Sequence, residues 1–183
     1  VLAPLNAVGD RESCRLENGK VVTPAGWSEA YKQFAEGGWV GMAASPAHGG
    51  MGLPISLALG VDDMMSGACL ALQLKPLLSK GQIEALEQHA SVEIKALYLP
   101  KLISGEWSGT MNLTEPQAGS DVGALRTTAT PISEGEYAGK YRIAGTKIFI
   151  TFGEHDCADN IVHLVLARTP GAPGGSRGIS LFI

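Results

Sequence analysis

The chain has 183 residues, 45% of them hydrophobic and 17% charged, enough apolar material to bury a core in one large domain or two small ones. A formal net charge of −4 without any basic run gives a nucleic-acid surface no electrostatic support. Cys14, Cys69 and Cys157 are odd in number, far apart and in no C-x-x-C arrangement, which argues against a disulfide framework or a cysteine zinc site and fits a reducing, cytoplasmic compartment.

Residues 1–26 combine glycine, proline and charge without a sustained period and read as an irregular lead-in around a turn at Asn18-Gly19. A helix is predicted from Trp27-Ser28, with Ser28 as N-cap, Tyr31, Phe34 and Ala35 on one face, and Gly37-Gly38 as the stop. The glycine-dense run from Trp39 to Pro54 serves equally as a tight connector or a ligand loop, and His48 within it reads as a surface or capping residue. From Ile55 to Leu78 the pattern is helical and apolar, interrupted at Gly60 and Gly67. Asp62 and Asp63 are adjacent, so on a helix they point about 100° apart and read as a solvated face rather than an acid–base couple. Met64, Met65 and the run Leu70 to Leu78 suit either core packing or an adaptable apolar pocket. A short helix over Gln82 to His89 follows. Ser91 then caps another through Ile94, Leu97, Tyr98 and Ile103, with Glu93 in its first turn, a bend at Pro100 and a stop at Gly105. No apolar run approaches the ~20 residues of a bilayer span, so a soluble chain is expected. It begins at Val1 and stops within a strand-like alternation at Ile179 to Ile183, which reads as a piece of a longer polypeptide.

After Trp107 the period changes from 3.6 to 2. Leu125 to Thr130, Tyr141 to Ile143, Lys147 to Thr151, Ile161 to Ala167 and Ile179 to Ile183 are short alternating segments separated by glycine, proline and serine. The fold class expected is α+β: an all-α domain over residues 1–108, then an antiparallel β-sandwich or barrel domain over residues 109–183, incomplete at its C-terminal end. A cleft between two such domains is a preferred ligand site. Glu154-His155-Asp156-Cys157 falls in a predicted turn whose neighbouring side chains do not easily encircle an ion, and no metal site is predicted.

At the change of period stands Met111-Asn112-Leu113-Thr114-Glu115-Pro116-Gln117-Ala118-Gly119-Ser120-Asp121-Val122, a hydroxyl, a proline turn and a small-residue loop in one stretch. Gly119 and Ser120 let backbone N–H groups approach a phosphate closely. Glu115 and Asp121 read as structural, bonding loop backbone. Singly, each motif fits an ordinary strand-ending turn, loop or strand. Together with Pro46 to Leu53, Tyr98-Leu99-Pro100-Lys101-Leu102, Gly105-Glu106-Trp107 and Gly145-Thr146-Lys147-Ile148-Phe149-Ile150-Thr151, in this order from about Trp27 onward, they resemble the acyl-CoA dehydrogenases. Leu113, Gln117, Lys147 and the run Ile161 to Phe182 are most similar to the branch that includes methylthiopropanoyl-CoA dehydrogenase.

The resemblance implies FAD as cofactor, with Thr114 at the polar edge of the isoalloxazine, Gly119 and Ser120 at the pyrophosphate, Phe149 against the ring, Thr151 near the reactive nitrogen, and Met111, Leu113 and Ile150 completing the cofactor site. Ser120 and Val122 would touch the acyl-CoA. Many family members carry tryptophan at the Phe149 position; stacking survives that change, but the indole donor does not. The implied reaction removes an α proton and a β hydride from an acyl-CoA thioester, giving a trans-2-enoyl-CoA, with the thioester carbonyl polarised in an oxyanion-hole arrangement. The family's base is a glutamate of a C-terminal helical domain, and no acid here matches it, so no catalytic residue is assigned and the 183 residues alone are expected to be inactive. An electron-transferring flavoprotein or similar acceptor and a homo-oligomer of the full-length protein are implied as partners. An acyl-CoA oxidase and a non-catalytic α+β binding module are the alternatives.

Overall fold

The computed structural model describes Val1–Ile183 throughout. Helix α1 (Leu2–Glu12) and the strands β1 (Arg15–Glu17) and β2 (Lys20–Val22) come first, followed by helices α2 (Trp27–Glu36), α3 (Ile55–His89) and α4 (Val92–Ser104). Strands β3 (Trp107–Asn112), β4 (Thr128–Pro131), β5 (Tyr141–Ala144), β6 (Asn160–Ala167) and β7 (Ser180–Phe182) complete the chain. Strands β3, β6 and β7 form one sheet in that order, and β4 pairs with β5 in a separate antiparallel ribbon. The expected helical-then-strand α+β order is present, without a closed barrel. Two compact units divide the chain: Val1–Thr110 with Thr151–Val162, and Met111–Ile150 with His163–Ile183.

The lead-in expected to be irregular instead carries helix α1 and the hairpin of β1 and β2. Leu2 and Leu5, three apart on α1, pack on the buried cluster of Trp27, Ala30, Cys69 and Leu72, and Trp27 Nε1 donates to the Leu5 carbonyl at 3.3 Å. Gly9 lets the indole lie against α1, since a Cβ there would stand 2.5 Å from the ring. Asn18 and Gly19 do form a turn: with φ of 51° and 79° they close a two-residue hairpin between β1 and β2. Helix α2 is capped by Gly26 rather than Ser28, whose hydroxyl instead donates to the Asp156 carbonyl at 3.2 Å. Of its predicted apolar face, Tyr31 and Phe34 are buried and Ala35 is half-buried, and Trp27 and Ala30 are buried beside them.

The connector after α2 is a tight one. Met51, Gly52 and Leu53 donate their amides to the carbonyls of Gly41, Ala44 and Met42 at 2.9–3.0 Å, and the Ser45 amide reaches Glu87 of α3 at 2.8 Å. Where two helices were expected to part near residue 80, α3 spans Ile55 to His89 with a kink at Cys69, whose backbone is non-helical (φ −160°, ψ 85°), and with Pro76 inside it. A Cβ at Gly60, Gly67 or Gly81 would meet nothing. By length and composition α3 is long and apolar enough to cross a membrane, unlike the runs expected from sequence. Such a match is weak support for a span: α3 carries the Asp62–Lys80 ion pair, Lys75 and the backbone break at Cys69.

Helix α4 has the predicted ends. The Ser91 hydroxyl accepts from the Ile94 amide at 3.3 Å, and Gly105 takes a left-handed conformation at φ 77°. A Cβ at Gly105 would stand 2.6 Å from the Ala35 Cβ. Gly105→Ala is therefore expected to destabilise the chain by more than about 1 kcal/mol, read as a lower urea midpoint; an unchanged midpoint would count against this packing.

Candidate functional site

The stretch from Met111 to Leu125 leaves the end of β3, makes a tight turn and returns to the second unit's core through a short 3-10 turn at Val122–Ala124. Glu115 and Ala118 exchange two backbone hydrogen bonds of 2.9 and 3.0 Å, which closes the Pro116-Gln117 turn. The buried Glu115 carboxylate then ties the loop's start to its end, accepting from the amides of Arg126 (2.7 Å) and Thr127 (3.0 Å), from the Thr127 hydroxyl (2.5 Å) and from Gln117 Nε2 (2.6 Å). That is the backbone-bonding role expected of it. Asp121 differs: its carbonyl, not its carboxylate, bonds the loop, accepting from the Ala124 amide at 3.2 Å.

Glu115 also meets a residue that sequence reasoning gave no structural role. Lys147 Nζ donates to Glu115 Oε1 at 2.9 Å and to the Leu113 carbonyl at 2.9 Å, its side chain only 10% exposed. Burial pushes the Glu115 carboxyl up, but Lys147, the Thr127 hydroxyl and the amides of Arg126 and Thr127 outweigh it and hold the group well below the usual carboxylate range. Next along, the Ile148 amide donates to the Thr114 carbonyl at 2.9 Å. The two segments singled out in the sequence, 111–122 and 147–150, are thereby fastened to one another within the second unit.

The segment Lys147 to Thr151 is not a strand, contrary to expectation. Its backbone turns left-handed at Phe149, φ 58°, which no strand pairing accommodates, and the ring stands 87% exposed. A positive φ is uncommon for a bulky L residue and persists only where the surroundings enforce it. Met111, Leu113, Thr114, Val122 and Ile150 are half-buried around these segments, and Gly119 and Ser120 are exposed at the loop tip. A Cβ at Gly119 would meet nothing. Thr151, also exposed, belongs to the other unit.

In the helical unit, residues 154–157 form bends and find separate partners. His155 Nε2 lies 2.8 Å from the Ser108 hydroxyl while Nδ1 accepts from the Cys157 amide at 3.1 Å; Asp156 Oδ1 accepts from the amide and hydroxyl of Thr23 at 3.2 and 2.7 Å. Burial, then the Lys75 ammonium, push the His155 imidazole down to about 4 against the pull of Asp156. Because this folded-state value lies below the ordinary one, His155 contributes stability that is present above about pH 6.5 and lost as pH falls through 4. Urea unfolding should show stability falling between pH 6.5 and 4 by less in His155→Gln than in the parent; equal losses would remove His155 as the cause. Two recesses of about 540 and 590 Å³ also lie in this unit, one around Tyr31, Gly105 and Cys157, the other between the connector and α3, and none of the candidate cofactor residues lines either.

Known proteins resemble the chain along its whole length. The acyl-CoA dehydrogenase N-terminal domain matches residues 15–106, and the acyl-CoA dehydrogenase middle domain matches residues 110–183. A 3-methylmercaptopropionyl-CoA dehydrogenase of Ruegeria pomeroyi is 55% identical over 183 residues, covering 100% of this chain and 30% of that protein. Among solved structures, a glutaryl-coenzyme A dehydrogenase in complex with glutaryl-CoA has a TM-score of 0.71 at 30% identity, covering 86% of this chain and 38% of that one. PigA with FAD and proline has a TM-score of 0.72 at 28% identity, covering 85% and 39%. The chain thus spans about a third of the length of these relatives.

Proposed function

The chain belongs to the acyl-CoA dehydrogenase family, and from that premise we propose that it supplies the flavin-holding part of an enzyme that converts an acyl-CoA thioester to its trans-2-enoyl-CoA. The observation that carries this reading is Phe149: an exposed, left-handed aromatic residue in the segment tied through Ile148 to the carbonyl of Thr114. The donor set suits FAD. Ser120 stands in an open glycine loop suited to phosphate oxygens, Thr114 is a half-buried hydroxyl residue whose carbonyl holds the second segment, and Phe149 offers a face for a planar ring. When bound, FAD supplies the acceptor for the substrate's β hydride.

The protein's own residues bind and orient. Met111, Leu113, Thr114, Gly119, Ser120, Phe149 and Ile150 would hold the cofactor, Thr151 would follow from the family pattern, and Ser120 with Val122 would border the acyl-CoA. No acid among these residues is assigned as the base that takes the α proton.

The full-length protein is the test. It should purify yellow, gain thermal stability on adding FAD, and reduce an artificial dye with at least one acyl-CoA, without peroxide as the main product. A colourless full-length protein whose melting temperature ignores FAD would overturn the flavin reading, and peroxide formation in place of dye reduction would move it to an oxidase.

A further inference from the structure

We propose that the Glu115–Lys147 ion pair is a positioning device for the flavin, joining the loop 111–125 and the segment 147–150 into one frame that keeps Phe149 presented; this rests on the flavin reading above. Neither residue has to touch the cofactor. Lys147 Nζ stands between the Leu113 carbonyl and Glu115 Oε1, 2.9 Å from each, so one ammonium fixes both the residue before Thr114 and the residue after it. The following amide, Ile148, holds the Thr114 carbonyl at 2.9 Å. Glu115 in turn gathers the amides of Arg126 and Thr127, which shuts the base of the loop whose tip carries Gly119 and Ser120.

A frame of this kind is what the local backbone requires. Phe149 sits at φ 58°, a conformation that bulky L residues adopt only when their surroundings enforce it, and the two residues before it are the ones pinned to 113–115. The ring itself is 87% exposed, so its own packing does not hold it. An apolar pair in place of Glu115 and Lys147 would leave the Leu113 carbonyl and two loop amides without partners, which explains why a buried ion pair stands here despite its desolvation cost. Lys147 sets the second segment against the first, and Glu115 sets the loop tip.

The substitutions that test this are Lys147→Met and Lys147→Arg in the full-length protein, with FAD affinity read from flavin fluorescence and flavin geometry from visible circular dichroism. Lys147→Met is expected to raise the Kd for FAD about tenfold or more and to change the visible dichroism of bound flavin, while Lys147→Arg, which keeps the charge, recovers both to within roughly threefold. A folded Lys147→Met protein that binds FAD within threefold of the parent, with the same dichroism, overturns the positioning role alone. A parent protein that takes up no FAD overturns the flavin reading and this role together. Should Lys147→Met fail to fold, hydrogen exchange in the parent decides: the amides of Arg126, Thr127 and Ile148 should be protected as one set that slows further on adding FAD, and independent rates indifferent to FAD would overturn it.

Discussion

Glu115→Ala is expected to lower the stability of the chain by roughly 3–5 kcal/mol at neutral pH, the scale of breaking a buried ion pair from one side. Glu115 is 4% exposed, and its removal strands the Lys147 ammonium, the amides of Arg126 and Thr127 and the Thr127 hydroxyl in the interior at one stroke. The effect has a pH signature. The folded-state carboxyl ionises well below the ordinary range, so its contribution is complete above about pH 4.5 and is lost as pH falls through the lowered folded-state value. The difference between parent and variant should therefore shrink in acid. Urea unfolding at pH 7 and pH 3.5 reads both quantities; a loss under about 1 kcal/mol at pH 7 would mean that the loop base relaxes to let solvent replace the carboxylate.

Local chemistry made part of this structure legible in the sequence. Ser91 and Gly105 mark the ends of α4 because a cap bonds within its own turn, and the spacing of Tyr31 and Phe34 shows the buried face of α2 for the same reason. Asn18-Gly19 announces a turn whatever surrounds it, although the short strands that make it a hairpin do not show. Tertiary facts were not legible. The course of α3 through Gly60, Gly67 and Pro76, with its kink at Cys69, is not set by local signals, and α1 depends on Leu2 and Leu5 finding a cluster some distance along the chain. In the candidate site, the loop from Met111 to Val122 stood out by its residue types. Lys147 to Thr151 did too, but with the wrong structure: its alternation suggests a strand, while the amide of Ile148 is spent on Thr114 and Phe149 turns left-handed. The Glu115–Lys147 pair joins residues 32 apart, and only the folded chain brings them together.

The opposite response is expected at Lys75, where Lys75→Met should stabilise the chain by roughly 3 kcal/mol at pH 7. Lys75 is fully buried on α3, its Nζ makes no hydrogen bond, and the ammonium lies 3.0 Å from the centre of the Tyr31 ring. Burial pushes this amine down to about 7, against a smaller upward pull from Cys157. Here the base binds fewer protons folded than unfolded, so the stability it permits is whole only above its ordinary value of 10.5 and is lost as pH falls through 7. Methionine fills a similar volume without a charge to desolvate, and what it forfeits is the attraction between ammonium and ring, about 2 kcal/mol in a desolvated setting. Charge and packing can be told apart by pH: a desolvated charge predicts a gain that is large at pH 7 and fades towards pH 10.5, whereas improved packing predicts the same gain at both. Unfolding of parent and variant at pH 7 and pH 10 separates the two, and a gain absent at pH 7 would mean that the Tyr31 ring compensates the buried ammonium fully.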